Sequence, residues 1–144
     1  MDLTTSYPRS VREKHLGLVQ VARTIDKGKA SLAGKLGEYR YDCPMDKHLF
    51  EFLDVDGGAL LEAIKKGDAA ADSYLKAAIG KKNGAEIEKF NHEWLEYGPA
   101  PASDGEKYFL ELRSQVAPDR TDVTAWADLL DLDEKRPVPH RTHA

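Results

Sequence analysis

The chain has 144 residues, of which 41% are hydrophobic and 32% are charged, and its formal net charge at pH 7 is −4. This length suits one domain with a sizeable core, and the composition is globular rather than disordered. A single cysteine excludes an internal disulfide framework. No segment has the apolar pattern of a signal peptide or a membrane-spanning helix, so the sequence predicts a cytoplasmic protein that does not enter a membrane.

The first predicted element is a long amphipathic helix. Ser10 followed by Glu13 is a capping box, so the helix should begin near Val11 and run to about Ala33, just before Gly34. Its apolar residues fall on one broad arc, which predicts packing against a core. The polar residues opposite this arc are predicted to face solvent; they are Gln20, Thr24, Lys27 and Ser31.

The segment around this helix, residues 9–40, is basic. It contains eight arginine and lysine residues and three acidic residues, a net charge of +5 that leaves −9 for the rest of the chain. A basic segment of this kind can hold an anionic ligand. A chain this acidic overall is a poor candidate for nucleic-acid binding, and none is predicted.

A loop and two short helices follow. Residues 35–43 are predicted to be loop or extended chain, and Pro44 then begins a short apolar helix with Asp42 or Cys43 as its N-cap. Asp56 is predicted to cap the next helix, which carries the sequence GGALLEAIKK.

Helical periodicity continues toward the C-terminus. It recurs over residues 71–79, 85–97 and 106–116, and again after a cap at residue 121 or 122. No strand-like alternation is longer than YRY. The fold prediction is therefore all-α, with six or seven helices in a single compact domain over residues 1–132 and a loose C-terminal tail over residues 133–144.

Asp26 is the first candidate for a binding site, because a buried polar group needs a partner. It lies inside the apolar arc of the first helix, three residues after Arg23 and three before Lys29. One interpretation is an ion pair at the rim of the core. The other is an Arg23–Asp26 pair at the mouth of a pocket, where the arginine would contact an anionic group and Asp26 would orient it.

Asn91 is the second polar residue on an apolar face. It lies among Ile87, Phe90 and Trp94 on the helix predicted over residues 85–97. Its amide either bonds to the backbone of a neighbouring loop or, together with Trp94, lines an aromatic cavity that binds a small molecule.

The stretch YRYDCP, residues 39–44, contains the only cysteine of the chain. A thiol at a helix N-terminus can be reactive, which is one interpretation of Cys43. The other is a small buried side chain that packs like an alanine. Tyr41 adds a ring and a hydroxyl group that could donate a hydrogen bond to a ligand.

No metal, cofactor or catalytic residue is predicted. Glu88, His92 and Glu96 have a spacing suited to metal ligands, but they project from the side of their helix opposite Phe90 and Trp94. The chain has no nucleophile elbow, no phosphate-binding glycine loop and no CxxC motif.

Three stretches together resemble one protein family. They are DLTTSYPRSVREKHLGLVQVARTIDK, LGEYRYDCPMDKHLFEFLDVD and PDRTDVTAWADLLDLDEKR, and they cover most of the chain. In these stretches the chain resembles the bacterial DUF5069 family of domains of unknown function. The resemblance implies a compact, mainly helical, cytoplasmic bacterial protein, and it implies no activity, substrate or catalytic residue.

The function predicted from the sequence is the binding of a small anionic or polar molecule, with an enzymatic role left open. The pocket is expected between the first helix and the YRYDCP loop. The candidate ligand-binding residues are Arg23, Asp26, Tyr41, Cys43, Asn91 and Trp94. The alternative is a non-catalytic protein–protein interaction module. A homodimer or a protein partner is compatible with either function.

Overall fold

The computed structural model describes residues 1–140, and it confirms the all-α prediction. The described residues contain seven helices and no strand. The helices are α1 (Val21–Leu32), α2 (Pro44–Leu53), α3 (Gly57–Lys66), α4 (Asp68–Ile79), α5 (Gly84–Glu96), α6 (Asp104–Val116) and α7 (Trp126–Asp133). The segment between α1 and α2 is non-helical, as predicted. Within residues 1–140, no helix has the length and apolar character needed to cross a membrane.

The predicted start of the first helix is wrong by ten residues, since α1 begins at Val21 rather than Val11. Leu16, Gly17 and Gln20 have φ angles of 56°, 81° and 72°, which no α-helix can contain. The capping-box residues before them form a turn, in which the Glu13 N–H donates to the Ser10 carbonyl. The predicted end is confirmed: α1 stops at Leu32, and Gly34 adopts the left-handed conformation.

The predicted solvent face of α1 is also wrong. Nine of its 12 residues are buried, among them Thr24 and Lys27, and Gln20 just before the helix is 0% exposed. The polar side of α1 therefore faces protein rather than water, and it requires internal partners.

Local signals fix the next two helices as predicted. Pro44 opens α2 with Cys43 as its N-cap, and Asp56 caps α3 by accepting a hydrogen bond from the Ala59 N–H at 2.9 Å. Gly28 allows α3 to approach α1, because a Cβ atom at this position would lie 2.7 Å from Ile64 Cδ1.

The chain forms two compact units, Met1–Asn91 and a second unit that begins at His92. In the second unit, Phe109, Val123 and Leu129 form a buried apolar cluster. α7 starts at Trp126 with Ala125 as its N-cap, later than the cap predicted at residue 121 or 122.

The C-terminal segment of the second unit contacts Arg120. The Arg120 guanidinium donates to the carbonyl oxygens of Val138 at 2.9 Å and Pro139 at 3.1 Å, and Val138 is buried. Residues 141–144 of the tail predicted over 133–144 lie outside the described residues.

Candidate functional site

Asp26 is buried, and Arg9 holds its carboxylate. The Asp26 side chain is 3% exposed. Its Oδ2 accepts from the Arg9 backbone N–H at 2.8 Å and from Arg9 Nε at 3.1 Å, while Oδ1 accepts from Arg9 Nη2 at 3.1 Å. The prediction that Asp26 pairs with Arg23 is therefore wrong. Arg23 instead donates to the Arg9 carbonyl at 3.2 Å, and its guanidinium lies 5.6 Å from the centre of the Tyr39 ring.

This arrangement fixes the Arg9 guanidinium and leaves one edge open. Nε and Nη2 are occupied by Asp26 and by the Ala22 carbonyl, whereas Nη1 has no protein partner within residues 1–140. The Arg9 side chain is 38% exposed. A guanidinium oriented in this way presents its remaining donors to a ligand with little loss of conformational entropy.

Asn91 braces a tight turn that carries His15. Its Oδ1 accepts from the Val19 N–H at 3.0 Å, and its Nδ2 donates to the Gly17 carbonyl at 2.9 Å. Of the two interpretations, the hydrogen bond to a neighbouring loop is the one observed. The turn places Leu16 at φ 56°, which costs about 1 kcal/mol or more for a residue other than glycine. The buried amide of Asn91 helps to hold this strained conformation in place.

His15 forms a pair with Asp72 of α4. His15 Nε2 lies 2.7 Å from Asp72 Oδ1, and both side chains are about one-third exposed. Because an ionised carboxylate only accepts hydrogen bonds, Nε2 must carry the proton of the neutral ring. Nδ1 has no protein partner among the described residues, so it is the nitrogen available to a ligand.

The charges of three basic side chains act on the carboxylate of Asp68, in the first turn of α4. Lys29 Nζ lies 2.8 Å from Asp68 Oδ1. This hydrogen bond and the charge of Lys29 lower the pKa of Asp68, and the charges of Arg9 and His15 lower it further. We call Arg9, His15 and Lys29 the basic cluster. They come from the N-terminal segment, the turn before α1, and α1 itself, and all three are partly exposed.

Reasoning from the sequence missed Arg9 and His15 as site residues. Arg9 counts there only as one charge of the basic segment, and periodicity places His15 on the apolar arc of a helix that does not form at that point. Asp26 and Asn91 were the signals that could have led to these residues, because a buried polar side chain requires hydrogen-bond partners. The partner of Asp26 is Arg9, and the partner of Asn91 is the turn that carries His15.

Asp46 of α2 is the centre of a second polar cluster, which the sequence analysis also missed. Its side chain is 0% exposed. Its carboxylate accepts hydrogen bonds from Lys27 Nζ at 2.8 Å, Thr24 Oγ1 at 2.6 Å, Gln20 Nε2 at 3.2 Å, and the backbone N–H groups of Asp42 at 3.0 Å and Cys43 at 3.3 Å. This cluster explains the burial of the polar face of α1. An acidic residue at the third position of a Pro-initiated helix was the available signal.

Tyr41 and Cys43 lie beside this cluster, and their polar groups contact protein atoms. The Tyr41 hydroxyl donates to the Gly57 carbonyl at 2.6 Å. Cys43 is the N-cap residue of α2, and its thiol lies 3.2 Å from Lys27 Nζ in a partly buried position. The side chains of Lys27 and Asp46 thus connect α1 to the YRYDCP segment, where the pocket was predicted.

Trp94 belongs to the second unit, where its ring stacks on Tyr97 with centroids 4.8 Å apart. The other five candidates belong to the first unit. A contact between a ligand and any of the six residues stays a prediction. A shallow groove of about 480 Å³ lies between α3 and α4, and none of the six lines it.

The hydroxyl group of Tyr41 is expected to resist ionisation at alkaline pH. Burial, followed by the negative charge of Asp46, raises the pKa of its hydroxyl well above the ordinary value. The folded protein therefore keeps this proton where the unfolded chain releases it. The contribution of Tyr41 to the free energy of unfolding should accordingly be constant below about pH 10 and should fall as the pH rises further.

The measurement is a spectrophotometric titration of tyrosinate combined with urea melts at alkaline pH. Tyr41→Phe should remove the late-titrating group and flatten the alkaline loss of stability, at a cost of about 1 kcal/mol at neutral pH for the lost hydrogen bond. Equal titration of all tyrosines in the folded protein would contradict the expectation.

Comparison with known families places these residues in context. The family model described as Domain of unknown function (DUF5069) matches residues 5–136. The chain belongs to the DUF5069 family. The match covers all seven helices of this DUF5069 domain as well as Arg9, His15 and the turn between them. No curated protein matches the chain.

Proposed function

We propose that this DUF5069 domain binds a small anionic molecule at the basic cluster of Arg9, His15 and Lys29. The observation that carries the proposal is the Arg9 guanidinium. Buried Asp26 holds it through Nε and Nη2, whereas its Nη1 has no protein partner within residues 1–140 and the side chain is 38% exposed. Carboxylate, phosphate and sulfate groups all suit a planar, pre-oriented set of N–H donors.

The surrounding charges support this location. The charges of all three side chains act on the Asp68 carboxylate, and the Asp68 side chain is 79% exposed. An exposed ion pair such as Lys29–Asp68 contributes only about 0–1 kcal/mol, so a ligand anion can replace the Asp68 carboxylate at Lys29 at small cost. The exposed carboxylate of Glu13 lies 3.6 Å from Arg9 Nε, which leaves Nη1 to the ligand.

The location differs from the pocket predicted beside the YRYDCP segment. Asp26 and Asn91 keep a role as the residues that position Arg9 and the His15 turn. We also propose, from the family resemblance and the composition, a cytoplasmic bacterial protein that does not bind nucleic acid or membranes. A homodimer, a protein partner and a purely interaction-based function stay predictions.

Titration with sulfate, followed by backbone amide NMR, tests the proposal. Sulfate keeps two negative charges throughout the neutral range, so its own protonation does not enter. Lys29→Met should weaken sulfate binding about fivefold through the loss of one nearby charge, and Asp68→Asn should strengthen it by a similar factor because a competing anion is removed.

Lys65→Met is the matched control, since Lys65 is an exposed lysine in the last turn of α3. This variant should bind sulfate as the wild type does. The proposal is overturned if sulfate causes no shifts around Arg9 and His15, or if Lys29→Met and Lys65→Met weaken binding equally.

A further inference from the structure

The two ring nitrogens of His15 have different surroundings. Nε2 is committed to Asp72 Oδ1 at 2.7 Å, so the neutral imidazole carries its proton there. Nδ1 then presents a bare lone pair. Protonation of the ring converts this nitrogen from an acceptor into a donor and adds a positive charge, while the bond to Asp72 is kept.

The charged groups around this part of the surface come from three segments. They are Arg9 and Glu13 of the N-terminal segment, Lys29 of α1, and Asp68 and Asp72 of α4. Arginine and lysine side chains carry a positive charge near neutral pH, whereas imidazole is the side chain type that ordinarily changes its charge between about pH 5 and 8. His15 is the histidine of the basic cluster.

An anion held by Arg9 and Lys29 meets opposite interactions at His15 in its two states. A neutral ring offers a lone pair, which repels the negative charge. A protonated ring offers an N–H donor and a third positive charge. The hairpin turn braced by Asn91 keeps the ring in place in both states, so the change is electrostatic rather than conformational.

We propose that His15 is a protonation switch for the anion site, so that the domain binds its anionic ligand more tightly at mildly acidic pH. This inference rests on the proposed function. By linkage, binding an anion must then take up a proton, because the bound state favours the charged imidazole.

The experiment measures the dissociation constant for sulfate at about pH 5.5 and about pH 8, on either side of the ordinary histidine range. Wild-type affinity should be about fivefold higher at the lower pH, which corresponds to one added charge beside the ligand. His15→Gln should show no pH dependence.

Calorimetry in buffers of different ionisation enthalpy provides a second readout. Wild type should take up a fraction of a proton per sulfate bound near neutral pH, and His15→Gln should take up none. If sulfate binding depends on Lys29 but not on pH, the protonation switch is overturned and the anion site is not. The same holds if His15→Gln shows the same pH dependence as the wild type. The absence of sulfate binding at either pH overturns the anion site itself.

Discussion

Replacing Asp46 by alanine is expected to lower the free energy of unfolding by about 3–5 kcal/mol. The change leaves the ammonium group of Lys27, whose side chain is 5% exposed, without its carboxylate partner. It also removes one acceptor from Thr24 and from Gln20, both of which are 0% exposed. Buried donors without partners lose their hydration and gain nothing in return. Urea melts of the variant and the wild type at neutral pH measure the difference.

A double-mutant cycle with Lys27→Met identifies the cause. In the Lys27→Met background no buried ammonium group remains, so the loss of Asp46 should destabilise the protein less. The double variant should therefore lose less unfolding free energy than the two single variants lose in sum. Glu51→Ala, at an exposed position on the same helix, is the control and should change stability by no more than about 0.5 kcal/mol. Small, additive losses would show that Asp46 is not the centre of a tightly coupled cluster.

The second large effect is expected for the Arg9–Asp26 pair. Arg9→Ala should lower the free energy of unfolding by about 2–3 kcal/mol, because the Asp26 carboxylate, 3% exposed, keeps only the backbone N–H of residue 9 as a donor. Asp26→Ala should lower the free energy of unfolding by a similar amount. The double variant should lower it by less than the two single variants do in sum.

The same cycle with Arg23 and Asp26 distinguishes the observed pair from the pair predicted from the sequence. Coupling between Arg9 and Asp26 should be the larger of the two, because Arg9 makes the direct bonds to the carboxylate. Glu13→Ala serves as the control, since its exposed contact with Arg9 contributes about 0–1 kcal/mol. A larger coupling for Arg23 would contradict this assignment.

Elements with local signals could be predicted from the sequence. Pro44 starts a helix because its fixed φ and missing N–H suit the first turn, and Asp56 caps its helix through a contact only three residues away. Gly34 ends α1 because glycine adopts positive φ without strain. These signals need no knowledge of the rest of the chain, and each of them was confirmed.

Elements fixed by distant contacts could not be predicted in this way. The chain before α1 is not helical because Leu16 adopts positive φ in a turn that Asn91 braces from more than 70 positions away. Similarly, the polar face of α1 is buried because Asp46 lies opposite it. Helical periodicity alone assigns such a face to solvent, since it cannot show that a later carboxylate is its partner.

The candidate site was predictable only through its supporting residues. Asp26 and Asn91 attracted attention because polar groups on apolar faces need partners, and both proved to be buried. Arg9 and His15, which they hold, lie outside regular helices, where periodicity carries no information. A search for cations and histidines near buried polar residues is therefore a better guide to such sites than helical periodicity.

The Asp46 carboxylate also has a consequence for the exchange of amide hydrogens with solvent. The N–H groups of Asp42 and Cys43 precede α2 and belong to no helix, yet both donate to Asp46 Oδ2. Amides in a surface loop ordinarily exchange quickly, whereas these two are expected to exchange slowly because each donates to a carboxylate that is 0% exposed. Their exchange rates therefore report whether the Asp46 carboxylate keeps its position at the start of α2, from within a segment that otherwise looks like loop.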